Sequence, residues 1–162
     1  MTESERDGLQ RACDGLIQHQ QSLLLASRSE QGKADISYAP YLRDGDDFYI
    51  FVSQLARHTQ NLLSYPQASV LFIEPETEAA NPFARRRLTF DCRVREINKN
   101  DPAHGQILDG MAAKFGETVN LLRSLPDFHL FALTPERGQF VAGFGKAFAV
   151  DAQGGLQWPT TN

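Results

Sequence analysis

Five consecutive apolar residues, Phe48-Tyr49-Ile50-Phe51-Val52, follow the turn signal Asp44-Gly45 with no polar residue among them. A strand with one wet face alternates apolar and polar side chains; an unbroken apolar run is covered on both faces. A run of five is also far short of the ~20 residues that a membrane-spanning helix needs. The covering must therefore come from the chain itself. A sheet closed into a barrel on one side, or a helix laid across the other, would supply it.

The flanking sequence carries the rest of such a fold. Leu23 to Ser27 and Lys33 to Leu42 read as strands joined at Gln31-Gly32, and with the Phe48 strand they predict a three-stranded meander. Ala68 to Ile73 reads as a buried strand. Arg87 to Ile97 alternates, with Leu88, Phe90, Cys92 and Val94 inward, and its phase slips between Val94 and Ile97, which predicts a bulge there. Phe128 to Leu133 and Phe140 to Val150 complete the strands. In the last of these, Phe140, Ala142, Phe144, Phe148 and Val150 share one face and small residues the other.

Helices are expected at four places. Leu9, Ala12, Cys13, Leu16 and Ile17 form one amphipathic stripe. Ser53 is placed to cap a helix from Leu55 to Ser64, which stops before Tyr65-Pro66. Asp101-Pro102 opens a third helix that Gly116 closes, and Glu117 to Leu125 is a fourth. The reading is mainly β (α+β), a small barrel with peripheral helices. It is taken as one domain over residues 1–162, with an N-terminal helix in 1–20, a barrel core in 22–150 and a short tail in 151–162.

Composition narrows the function. A net charge of -4 argues against non-specific attraction to nucleic acid or to an anionic membrane. No secretory h-region opens the chain, so Cys13 and Cys92 are expected as reduced thiols in a cytoplasm. The four histidines are scattered and none is near a cysteine, so no metal site is read. No G-x-S-x-G elbow is present, and Gly143-Phe-Gly-Lys146 lacks the spacing of a phosphate loop. No catalytic acid or base is assigned.

Two segments remain. Ser53-Gln-Leu-Ala-Arg57-His58 follows a buried strand at a helix start, where free backbone N–H groups and the dipole attract anions and Arg57 would add a fork of donors. The plainer alternative is a cap and a solvated arginine. Arg85-Arg86-Arg87 belongs to an imbalance in which twelve of the sixteen basic residues are Arg. It is either a clamp for phosphate or carboxylate or a surface patch.

The segments Ile36-Ser-Tyr-Ala-Pro-Tyr41, Ser53 to His58 with Asn61-Leu62, Phe83 to Asp91, Phe115-Gly-Glu117, Asp127-Phe128 and Gly138 to Ala147 occur in an order and spacing that resembles the pyridoxamine 5'-phosphate oxidase-like split barrels. They are most similar to the haem-utilisation branch of HugZ/HutZ type. The resemblance implies a six-stranded split barrel, a homodimer and a cofactor at the subunit interface. It implies FMN held at its phosphate by Val52, Ser53, Arg57 and His58. The strand Ser37, Tyr38, Ala39 and Pro40 would run beside the ring, and Arg86, Arg87 and Thr89 would line the pocket. An FMN-dependent oxidoreductase is the leading expectation. Haem binding or degradation is the alternative, and a cofactor-free dimer the third. Haem-degrading members take an iron ligand from a C-terminal tail, whereas the last histidine here is His129. His58 or His129 would have to substitute, and the role of Asp127 is open.

Overall fold

The computed structural model describes residues 1–160, and its elements begin where local chemistry starts them. Helix α1 (Glu3–Gln18) opens on a capping box. The Thr2 hydroxyl accepts from the Glu5 N–H while the Glu5 carboxylate accepts from the Thr2 N–H. Strands β1 (Ser22–Arg28) and β2 (Ala34–Pro40) form a hairpin whose turn carries Gly32 at φ 78°, a left-handed conformation suited to glycine. β3 (Leu42–Asp44) and β4 (Asp47–Ser53) form a second hairpin. Helix α2 (Arg57–Ser64), β5 (Gln67–Ile73), β6 (Arg87–Ile97), helices α3 (Pro102–Phe115) and α4 (Glu117–Arg123), then β7 (Phe128–Gly143) and β8 (Lys146–Val150) complete the chain.

All pairings are antiparallel, in the order β2-β1-β5-β6-β7-β4-β3, with β8 on β7. The expected meander is therefore wrong. Instead of one strand from Lys33 to Leu42, the chain breaks at Tyr41, whose N–H donates to Gln21 O and whose hydroxyl donates to Ile17 O. That break sends the second hairpin to the opposite end of the sheet. β2 and β4, distant in the pairing order, nevertheless lie side by side, so the sheet curls back on itself. The whole sheet holds eight strands.

The sixteen residues of β7 merge what the sequence suggests as two strands. β6 runs along most of it; β4 pairs with its first part and β8 with its last. Register against β6 shifts between Asp91 and Cys92, where Glu136 is the extra residue beside Pro135. The bulge is there and not between Val94 and Ile97. Ile97 breaks phase because it belongs to another core. Similarly, Phe144 and Gly145 form the β7–β8 turn rather than strand, and Phe144 stands exposed at its tip.

Two cores result. Inside the curl, Tyr41, Phe48, Phe72 and Phe90 pack with ring centroids 5.0–5.9 Å apart, and α1 plugs the end with Cys13, Leu16 and Ile17. On the other face, Ile97, Leu130 and Ala132 meet Ile107, Leu108 and Met111 of α3. β4 lies between them: Phe48, Ile50 and Val52 face the first core, while Tyr49 and Phe51 face the second. The unbroken apolar run is thus covered by barrel and helix together.

Cys13 and Cys92 are buried, free thiols, each pushed up to about 12 by burial. Neither should react with iodoacetamide at neutral pH in the native protein. Both should react once denaturant is added, which intact-mass measurement would show.

Among the described residues, no helix is long and apolar enough to cross a membrane.

Candidate functional site

The edge of the sheet at β2 and the start of α2 bring the strongest group of polar side chains together. Alternation along β2 turns Asp35 and Ser37 toward α2, while Ile36 and Tyr38 face outward. On α2, Asn61 is one turn beyond Arg57 and shares its face. The Asn61 amide donates to Asp35 Oδ2 at 3.1 Å and to the buried Ser27 hydroxyl at 3.0 Å. Arg57 Nη2 lies 3.1 Å from Asp35 Oδ1, with its side chain 84% exposed. That exposure leaves the guanidinium able to take a second anion at little cost, since exposed pairs contribute at most ~1 kcal/mol.

His58 is half-buried, with Nδ1 2.7 Å from Ser37 Oγ. When Nδ1 carries the proton and donates to that hydroxyl, Nε2 presents its lone pair. Burial holds the imidazole below the ordinary histidine range, although Asp35 pulls the other way. Neutral imidazole is therefore the resting form at neutral pH. The group lines a cavity of about 230 Å³ with Tyr38 at its rim.

The other expected residues are placed elsewhere. Ser53 does not cap α2: the helix starts at Arg57 with Ala56 at the cap position and no side-chain cap. The Ser53 hydroxyl instead accepts from Leu55 N at 3.1 Å and lies 3.4 Å from Asp127 Oδ2, and its carbonyl accepts from the Thr59 hydroxyl. Ser53 is not among the residues that line the cavity beside Arg57. Val52 and Ala39 are core residues, and Pro40 ends its strand on the surface.

Tyr38 and Thr89 fall in one row across the outer face of the sheet, through Leu24 and Leu71. At three strand spacings they are ~14 Å apart. Arg87 follows Thr89 on that face, and its Nη1 donates to Arg85 O. Arg85 is tied to Glu74 O and stands 3.7 Å from Glu76. Arg86 lines a separate cavity beside α1.

His129 is less available than His58. Nδ1 faces Glu96 and Nε2 faces Gln54, so both ring nitrogens are engaged.

Asp35 and Asn61 are the residues that sequence reasoning passes over as site members. Their signal is weak: Asp35 stands two residues before Ser37, and Asn61 four after Arg57. Only the strand and helix periods together would have joined them.

The chain is 41% identical over 133 residues to HutZ of Vibrio cholerae, named a heme oxygenase, covering 82% of this chain and 76% of that protein. A crystal structure of HutZ from Vibrio cholerae, described as a heme storage protein, superimposes with a TM-score of 0.79 at 39% identity, covering 85% of this chain and 96% of that one. The structure of Campylobacter jejuni ChuZ gives a TM-score of 0.83 at 27% identity, over 93% of this chain and 62% of that one. The family pattern described as pyridoxamine 5'-phosphate oxidase matches residues 9–142, from α1 into the end of β7. With that span, and a curled antiparallel sheet shared with these structures, the chain belongs to the pyridoxamine 5'-phosphate oxidase family.

Proposed function

We propose that this protein binds haem, in the manner that the name of its HutZ relative indicates, and that two copies complete the site. The observation that carries the reading is His58: a half-buried imidazole with Nδ1 2.7 Å from the Ser37 hydroxyl, lining a cavity, in a chain 41% identical to a protein named a heme oxygenase. The donor set fits. An imidazole oriented through its second nitrogen is a standard iron ligand, and the Ser37 hydroxyl supplies that orientation. Arg57 offers an exposed cation for a propionate, and Ile36 and Tyr38 offer apolar surface. When bound, haem supplies the redox-active iron; Ser37 fixes the imidazole, and the Asp35–Asn61–Ser27 chain holds α2 against β2.

Size supports a second copy. A cavity of about 230 Å³ falls below the ~300–1,000 Å³ of ordinary ligand sites, so one chain offers only part of a tetrapyrrole pocket. Leu24, Ile36 and Tyr38 are 37%, 76% and 64% exposed on the outer face of the sheet, an apolar surface suited to a second sheet. Arg87 and Thr89 on that face would then meet the partner's ligand rather than their own.

FMN, the leading expectation from the sequence, has less behind it: its expected phosphate clamp is not assembled within one chain, because Ser53 and Arg57 have separate partners. Haem titration of the purified protein separates the readings. A saturable Soret band at one haem per chain, with light scattering at twice the chain mass, is expected. A bound flavin spectrum with no Soret response would overturn it.

A further inference from the structure

A second cavity, of about 660 Å³, opens between α1 and the β7–β8 hairpin, away from His58. Leu9 and Ala12 of α1 form one wall; Ala142 and Phe148 form the other, all four packed partly against the barrel core. Arg86 and Lys146 stand at the rim. Among the described residues, neither has a carboxylate within ion-pair distance. The one acid at the cavity, Glu5, is turned back to accept the Thr2 N–H in the helix cap. Glu5 is near enough to feel the Lys146 charge, but neither cation is held in an ion pair among the described residues. An apolar floor beside two cations is therefore complementary to an apolar body with an anionic head.

Gly8 marks a position on the cavity wall where a larger side chain could be introduced to fill the space. It sits within α1 on the cavity wall, where glycine weakens a helix relative to alanine. A methyl group placed there would meet only the tip of Arg11, 3.9 Å away. Packing within the chain therefore does not require glycine at this position.

We propose that this cavity binds an amphipathic carboxylate, its alkyl chain between α1 and Phe148 and its head between Arg86 and Lys146. The site is independent of the haem reading and uses none of the residues grouped around His58. Arg86, which the family resemblance implies as part of the cofactor pocket, lines this cavity within the single chain. The single tryptophan of the chain, Trp158, reports on it, because its ring meets Phe148 edge-on at 5.6 Å.

Decanoate below its micellar concentration is the probe, followed by Trp158 fluorescence and calorimetry on the full chain. Saturable binding at one per chain is expected. Lys146→Glu and Arg86→Glu should each weaken it at least tenfold. Gly8→Trp should abolish it without lowering the thermal midpoint, since any residue better than glycine suits the helix. If Gly8→Trp does not fold, Gly8→Leu takes its place. Decyl maltoside, which has the same tail and a neutral head, should bind at least tenfold more weakly than decanoate. The proposal is overturned if decanoate shows no saturable binding, if the charge-reversed variants bind it as the wild type does, or if the neutral detergent binds equally well.

Discussion

His58→Ala should remove the Soret shift of the haem complex and weaken haem binding by more than Ser37→Ala does. Ser37 acts only through the ring it orients, and losing such a partner typically costs ~10–100-fold in metal affinity. The alanine at 58 removes the ligand itself. Far-UV circular dichroism should be unchanged in both, because the half-buried ring is outside the two cores. Wild-type affinity after His58→Ala would end the assignment. The pH dependence provides a second readout. The folded imidazole titrates below its ordinary value of 6.5, because burial disfavours the cation. The apo protein should therefore lose stability as pH falls below 6.5, where the unfolded chain takes up protons that the folded one refuses. Replacing His58 with glutamine should flatten that part of the profile, read as thermal midpoint against pH.

Phe48→Ala should destabilise the fold by ~3–5 kcal/mol, the range for truncating a buried aromatic ring. Phe48 is fully buried and touches Tyr41 edge-on at 5.8 Å, with Phe72 and Phe90 tilted against it at 5.0 and 5.9 Å. The void would lie at the centre of the barrel, where the surrounding strands are held by their own ladders and cannot collapse onto it. Against a typical total of ~5–15 kcal/mol, such a loss leaves a marginal protein. Urea unfolding should show a lower midpoint with the slope preserved. A shift equivalent to less than ~1 kcal/mol would mean that the aromatic cluster does not hold the barrel.

Most elements were legible because their signals are local. Asp101-Pro102 and Gly116 bound α3 where expected, and the apolar run at β4 is covered twice, as its lack of alternation required. Pairing was less legible. Nothing local says that Tyr41 turns inward to satisfy Gln21 and Ile17, and that single inward turn replaces a meander with two separated hairpins. The apparent phase slip at Ile97 was real, but its cause was a second core rather than a bulge. For the site, Arg57 and His58 were visible as a polar pair after a buried strand. Their partner was not Ser53: α2 starts later than the serine suggests, and Asp35, from a strand folded much earlier in the chain, takes the guanidinium. The surroundings of Arg86 were hidden for a similar reason. Alternation separates it from Arg87 but cannot say what stands on its side, which is α1.

The long strand β7 gives the molecule one further property. Leu130 and Ala132 point beneath α3, while Phe131 and Leu133 belong to the curled sheet or lie fully shielded beside it. One ribbon of backbone is the wall between two rooms, so neither can be emptied alone. Peeling α3 away would bare the back of the strand whose front seals the aromatic interior, which couples melting of the helical layer to that of the barrel.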